Sequence, residues 1–155
     1  MKIGLGYDVH AFAADRPLIL GGIQIPCEKG LAGHSDADVL VHAICDALLG
    51  AAGMGDIGEH FPDGDPKFKD AFSVDLLKET WHRVNRLYQA IINIDATVFA
   101  ETPKLSPYKP AMRDKLSAAL AIPSDRINIK ATTTEGLGFV GEGLGIAAMC
   151  VVLID

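Results

Sequence analysis

Runs of positive charge are missing from this chain. Its 14 Lys and Arg residues are outnumbered by 20 Asp and Glu, for a formal net charge of -6, and they are scattered. No patch therefore suits nucleic acid or an anionic lipid surface, and neither is expected as a partner. A polyanionic substrate would need metal ions brought to it locally. No apolar stretch approaches the length of a membrane span, and the N-terminal MKIGLGYDVH lacks the long apolar core of a signal peptide. A cytoplasmic protein is expected, or one of a plastid or similar organelle in a eukaryote. Cysteine is sparse as well. Cys27, Cys45 and Cys150 are an odd number without C-x-x-C spacing, which argues against a disulfide framework and leaves packed or loop thiols. Internal repeats, low-complexity segments and linkers are also lacking, so residues 1–155 read as one domain.

What is present suffices for one core: 49% of the residues are hydrophobic, including six Phe, three Tyr and one Trp. Ile3 to Asp8 reads as a strand, and Pro17 to Pro26 as a hairpin turning at Gly21-Gly22. Ser35, with Asp38 three residues on, predicts a capped helix continuing from Val39 to Ala52 and stopping at Gly53. A loop over 53–66 follows, then a helix over 73–87, a strand over 90–100, a helix over 107–120, and strands over 127–133 and 146–154. Helices between strands, with hairpin elements, predict an α/β sandwich, a mixed sheet carrying helices on one face.

The chemistry begins in GYDVHAF. In a strand, residues two apart share a face, so Asp8 and His10 present a carboxylate oxygen and a ring nitrogen side by side. Taken alone, the pair is more simply an edge strand ending in a polar turn. On the following helix Asp38, His42 and Asp46 stand at i, i+4 and i+8, so a carboxylate one turn away is placed to hold the second ring N–H of His42. Asp8, His10 and His42 together are an O,N,N set with one vacant tetrahedral position, the composition of a catalytic zinc. His34, Ser35 and the helix-start N–H groups are suited to anionic oxygens, although an N-cap alone accounts for Ser35. Asp56, Asp63 and Asp65 lie among glycines, as turn residues do, and their carboxylates suit hydroxyls better than phosphates. KATTTEGLGF offers hydroxyls and free N–H groups at a strand exit, with Glu135 as a ligand for a hard cation such as Mg²⁺. Within it Gly136 to Gly141 matches G-x-G-x-x-G, but the 14 residues that follow leave no room for a dinucleotide fold.

GYDVHAF, LILGGIQIP, HSDADVLVHAICDALLGAAGMGDIGEHFPD, ETPKLSPY and KATTTEGLGF together resemble the 2-C-methyl-D-erythritol 2,4-cyclodiphosphate synthase family, nearly end to end. The resemblance implies a ferredoxin-like sandwich that assembles as a homotrimer, with active sites between subunits. It implies conversion of 4-diphosphocytidyl-2-C-methyl-D-erythritol 2-phosphate to the cyclic diphosphate with release of CMP, a lyase step of non-mevalonate isoprenoid synthesis. It makes Asp8, His10 and His42 ligands of Zn²⁺ and Glu135 a ligand of Mg²⁺ or Mn²⁺, with His34 and Thr133 stabilising the transition state. Ser35, Asp56, Ile57, Gly58, Phe61, Pro62, Asp63, Gly64, Asp65 and Phe139 would bind the methylerythritol phosphate. Ala100, Glu101, Thr102, Pro103, Lys104, Leu105, Ser106, Ala131, Thr132 and Thr134 would bind cytidine. Tyr7, Glu142 and Leu144 stand where the family often has phenylalanine, arginine and glutamate. A zinc phosphoester hydrolase using an activated water, or a scaffold trimer keeping the metal for stability, remain rival readings.

Overall fold

The computed structural model describes residues 1–62, 64–65 and 71–155. Strands β1 (Lys2–Ala13), β2 (Leu18–Leu20), β3 (Ile23–Ile25) and β4 (Gly30–Leu31) precede helices α1 (Val39–Ala52), α2 (Ile57–His60) and α3 (Ser73–Val84). Then come β5 (Ile91–Phe99), α4 (Lys109–Leu120), a 3₁₀ turn at Ser124–Arg126, β6 (Ile127–Thr132), α5 (Gly138–Gly141) and β7 (Gly145–Ile154). The main sheet has the order β4-β1-β7-β5-β6, with β5 and β6 parallel and the other pairs antiparallel. β2 and β3 form the expected separate hairpin, turning through Gly21 and Gly22 at φ 59° and 72°, where a side chain would be strained.

β1 is longer than its apolar start suggests. Its ladder with β7 is unbroken from Lys2↔Ile154 to Ala11↔Gly145, and β4 takes over at Phe12 and Ala13, so Asp8 and His10 both lie inside regular strand. The side-chain alternation divides the residues of β1 between two environments. Gly4 and Gly6 face α1 so closely that a Cβ on either would meet a helix carbonyl oxygen, of Ala47 or Ala43, at 1.9 Å. Two glycines in a strand are otherwise a poor choice; here they let the helix lie directly on the strand. α1 answers with Leu40, Ile44 and Leu48, fully buried, each worth roughly 2 kcal/mol of transfer free energy.

Among the described residues no helix covers the opposite face of the sheet. Ile3, Leu5, Tyr7 and Val9 of β1 are exposed there beside Met149 and Val151 of β7, which the register sets against Tyr7 and Leu5. Among the described residues no helix is long and apolar enough to cross a membrane.

Two local expectations change. The N-cap of α1 is Asp38, whose carboxylate accepts from the Val41 N–H at 3.1 Å, whereas Ser35 Oγ accepts from the Ala37 N–H in the preceding turn. Ala37 adopts a positive φ of 56°, which shifts the helix start three residues past Ser35. The stretch expected as a loop over 53–66 contains α2, capped by Asp56, whose side chain accepts from the Glu59 N–H. A four-residue helix is too short for periodicity to reveal.

Candidate active site

Because Asp8 and His10 lie on the β1 face that carries α1, and the two glycines bring that helix close, His42 reaches them. His42 Nδ1 is 3.0 Å from Asp8 Oδ2 and 3.1 Å from His10 Nε2, and His10 Nε2 is 3.0 Å from the same Asp8 oxygen. Among the described residues this is the one cluster of three His, Cys, Asp or Glu side chains within ligating reach of one another. A tetrahedral zinc with bonds of about 2.0–2.1 Å separates its ligand atoms by about 3.3 Å, so the triangle needs only slight widening to accept one. The remaining ring nitrogens are engaged elsewhere: His10 Nδ1 at 2.6 Å from the Ala32 carbonyl, His42 Nε2 at 2.9 Å from Ser73 Oγ. A carbonyl is acceptor only, so His10 donates through Nδ1 and turns the lone pair of Nε2 inward.

Electrostatics favour a cation at the centre. Burial opposes ionising Asp8, but its hydrogen bonds and charge interactions with His10 and His42 outweigh burial and hold its carboxyl well below the usual range. Burial likewise opposes charging His10, and Asp8, with the Ala32 carbonyl, more than compensates and raises it. The Asp8 anion is thus retained among the histidines, and its charge raises His10, so the trio presents a carboxylate and ring nitrogens to a cation.

The carboxylates flanking His42 along α1 do not hold its ring, contrary to expectation. Asp38 is fully buried and spent on the backbone, accepting from the N–H groups of Gly21 and Gly22 at 2.9 and 2.6 Å as well as capping α1. Asp46 accepts from the Ile57 N–H at 2.7 Å and so fixes the start of α2 beside the trio. Helical spacing placed both acids on one face but gave no account of the hairpin turn and the α2 N–H groups that compete for them.

A cavity of about 220 Å³ opens over the trio, lined by Gly33, His34, Ser35, Ile57, Gly58, Phe61 and Leu76 together with the three ligands. Of the residues expected around the methylerythritol phosphate, Ser35, Ile57, Gly58 and Phe61 therefore gather here, with His34, expected to stabilise the transition state, beside them. Arg16 braces the His34 turn by donating to the carbonyls of Gly33, at 2.7 Å, and Ser35. Arg83 of α3 steadies the α2 segment: it donates to His60 Nδ1 at 2.9 Å and lies 5.0 Å from the centre of the Phe61 ring, while His60 Nε2 donates to the Met54 carbonyl. Asp56 is exposed at the α2 cap, Pro62 and Gly64 are exposed, and the Asp65 N–H donates to the Pro62 carbonyl. Asp63 lies outside the described residues.

The remaining expected residues form a second group. Glu101 Oε1 accepts from the Thr134 N–H at 2.8 Å, from its hydroxyl at 3.2 Å and from the Gly136 N–H at 3.4 Å, joining the 100–106 segment to the turn after β6. These donors lower the Glu101 carboxyl, the Thr134 N–H first among them. The Thr133 hydroxyl donates to Glu135 Oε1 at 3.1 Å, in a turn where Glu135 and Gly136 have φ of 55° and 78°. Ala131, Thr132, Thr133, Glu135 and Phe139 are exposed, as are Thr102, Lys104 and Ser106, while Ala100 and Leu105 are buried and Pro103 is half-buried after a cis peptide bond.

The chain does not bring the two groups together. Asp8, Ala148, Val98 and Ala131 form one cross-strand row, so the β6 exit lies three strands from the trio, about 14 Å at ordinary strand spacing. Sequence reasoning missed Ser73 and Asp36 behind His42. Ser73 reads as an ordinary helix start, and no local pattern shows that it faces a histidine 31 residues away.

A helix-backed mixed sheet that converges Asp, His and His on an open cleft defines an α/β protein with a three-ligand metal site of the catalytic kind. The chain belongs to the YgbB family, which it matches over residues 1–155. It is similar to the 2-C-methyl-D-erythritol 2,4-cyclodiphosphate synthase of Desulfatibacillum aliphaticivorans, 54% identical over 155 residues and the full length of both chains. The synthase of the same name from Moorella thermoacetica is 56% identical over 154 residues, 99% of this chain and 94% of that one. Among solved structures, the bifunctional IspDF of Campylobacter jejuni matches with a TM-score of 0.94 at 50% identity, over 97% of this chain and 41% of that longer one. A 2C-methyl-D-erythritol-2,4-cyclodiphosphate synthase in its CDP-bound form matches with a TM-score of 0.90 at 39% identity, over 99% of both chains.

Proposed function

We infer that the chain converts 4-diphosphocytidyl-2-C-methyl-D-erythritol 2-phosphate to 2-C-methyl-D-erythritol 2,4-cyclodiphosphate and CMP, the reaction of isoprenoid synthesis that belongs to the enzymes it resembles over its full length. The observation that carries this reading is the Asp8–His10–His42 triangle at the floor of a cavity lined by His34 and Ser35. The substrate's own 2-phosphate attacks the β-phosphorus, and the bond from that phosphorus to the oxygen of CMP breaks. No protein nucleophile is needed, so catalysis reduces to positioning and charge neutralisation.

Zn²⁺ fits the triangle; Glu135, an exposed carboxylate beside a threonine hydroxyl, fits Mg²⁺ or Mn²⁺, which keeps water and phosphate among its ligands. When bound, these cations offset phosphoryl charge. The chain's own groups do the rest. His34 stabilises charge in the transition state, while Ser35 and the 56–65 segment bind the methylerythritol phosphate, Asp56 and Asp63 being suited to its hydroxyls. Phe139 covers the sugar. Ala100 to Ser106 with Ala131, Thr132 and Thr134 hold cytidine, and Thr133 stabilises charge at the α- and β-phosphates.

The two groups belong to one site only if another copy supplies the missing half. Another copy is supported by the separation of the groups, about 14 Å, and by the uncovered apolar stripe of Ile3, Leu5, Tyr7, Val9, Met149 and Val151, and the resemblance makes the assembly a homotrimer. Residues 1–155 then act as a single synthase domain, in the cytoplasm or in an organelle such as a plastid.

Product analysis tests the reaction. With the cytidyl substrate and Mg²⁺, ³¹P NMR should show the cyclic diphosphate with equimolar CMP. Inorganic phosphate or a linear product would identify a metal-dependent hydrolase instead, and absence of turnover by zinc-loaded protein would make the metal a structural element.

A further inference from the structure

Behind His42, on the side away from the metal triangle, lies a chain of hydrogen bonds that the reaction as described does not use. Ser73, the first residue of α3, is fully buried, and its Oγ lies 2.9 Å from His42 Nε2. Asp36 grips Ser73 twice, accepting from its hydroxyl through Oδ1 and from its backbone N–H through Oδ2 at 3.1 Å. Ser35 Oγ stands alongside, 3.3 Å from the same His42 nitrogen.

The direction of the proton in this chain follows from donor counting. A carboxylate has no proton to give, and a serine hydroxyl has one. With that proton directed to Asp36, Ser73 Oγ meets His42 as an acceptor, so Nε2 must carry the hydrogen. Nδ1 is then the bare nitrogen, and it is the one that faces Asp8 and His10. The Ala32 carbonyl does the same for His10 by holding its Nδ1–H. The two rings are thus fixed in opposite tautomers, each with its lone pair inward.

We propose that Asp36 and Ser73 are positioning residues of the metal centre: the Asp36–Ser73–His42 relay locks the tautomer and rotation of the His42 ring and thereby sets the affinity of the trio for its metal. Because Asp36 also satisfies the first N–H of α3, whose preceding residue Phe72 makes no side-chain cap, the relay ties the seating of that helix to the metal site. α3 also supplies Leu76 to the cavity wall. A hydrogen-bonded partner on the distal nitrogen raises the basicity of a ligating histidine, and its loss ordinarily weakens binding by about 10–100-fold.

The proposal rests on the trio being the metal site, and the test separates the two. Zinc affinity is measured by chelator competition on zinc-loaded wild type, Ser73→Ala, Ser73→Thr, Asp36→Asn and His42→Ala. His42→Ala should abolish tight binding; if it does not, the trio is not the site. With that satisfied, Ser73→Ala and Asp36→Asn should each bind zinc about 10–100-fold more weakly, and Ser73→Thr should recover most of the loss if it folds. Wild-type affinity in both Ser73→Ala and Asp36→Asn overturns the relay. A measurement on wild type alone guards against misfolded variants: long-range ¹H–¹⁵N spectra of the zinc-loaded protein should show His42 protonated at Nε2 and metal-bound at Nδ1. Protonation at Nδ1 instead would overturn the proposal whatever the variants do.

Discussion

The metal group and the group proposed to hold the nucleotide are built on different principles. Around the trio, nearly every polar atom has an assigned partner within the chain: Ala32 for His10, Ser73 for His42, Asp38 for the hairpin turn, Asp46 for α2, Arg16 for the His34 turn. The side chains are largely buried, and two of the supports, Asp46 and Ser73, belong to helices α1 and α3. Across the sheet, Thr133, Glu135 and Phe139 stand exposed, and the segment depends chiefly on one carboxylate, Glu101. The first half is held by partners far along its own chain and largely buried; the second, beyond Glu101, is held mostly by short-range bonds within an exposed turn, such as Thr133 to Glu135 and Thr134 to the Leu137 carbonyl.

The comparison can be broken most sharply at His42. His42→Ala leaves two ligands, which cannot hold zinc tightly, and should lose zinc from elemental analysis together with at least a thousandfold in turnover. Zinc content equal to wild type would refute the assignment of the trio.

Gly6→Ala attacks the same half without touching a ligand. Its Cβ would meet the Ala43 carbonyl oxygen at 1.9 Å, a backbone atom with little freedom to move, so α1 must lift from β1 and carry His42 with it. We expect a stability loss on the order of 3 kcal/mol or more in urea and a weaker hold on zinc. The equivalent change in the other half, Gly136→Ala, meets no atom within 4 Å but forces alanine to φ 78°, and should cost about 1 kcal/mol through backbone strain alone. Equal losses in the two variants would erase the contrast between the halves.

Acidity gives a third handle. Burial pushes the Asp38 carboxyl up to about 6, with Asp36 nearby adding to the rise, against the three backbone N–H groups that favour its anion. Between about pH 4 and 6 the folded chain therefore holds a proton that the unfolded chain has lost, and this residue's contribution to stability declines as pH rises through that window. The decline is on the order of 3 kcal/mol. Denaturation of wild type and Asp38→Asn at several pH values reads it directly: any advantage of wild type should narrow between pH 4 and 6, and a constant difference would contradict the assignment.

The smallest effect is expected at Glu101. Glu101→Ala frees the Thr134–Gly136 turn, yet the turn is exposed and water replaces the lost acceptor, so the KM for the cytidyl substrate should rise by only about fivefold with zinc content unchanged. A loss of zinc in this variant would couple the halves within one chain.

The same division governs what the sequence makes legible. Period-two spacing on β1 and the helical position of His42 indicate the ligand set, because strand and helix periodicity fix which residues share a face. The assembly of those faces was carried by resemblance, since no spacing shows that Gly4 and Gly6 exist to seat α1. Asp38 and Asp46 misled for a related reason: a helical face says which side chains are neighbours, not which backbone donors elsewhere claim them. Ser73 was invisible because its partner is far along the chain. Glu135 and Thr133 were recognisable in TTTE, but their 14 Å displacement from the trio follows only from the strand order.

The central claim, that one catalytic site is made from the metal half of one copy and the nucleotide half of another, is tested most directly by mixing two damaged chains. His42→Ala retains an intact nucleotide half and Glu135→Ala an intact metal half, and each alone should be nearly inactive. Co-refolded in equal amounts, they should pair two undamaged halves at roughly a quarter of the interfaces and recover about that share of wild-type activity. Verified mixed trimers with no recovered activity would place both halves of each site in a single chain and contradict the account.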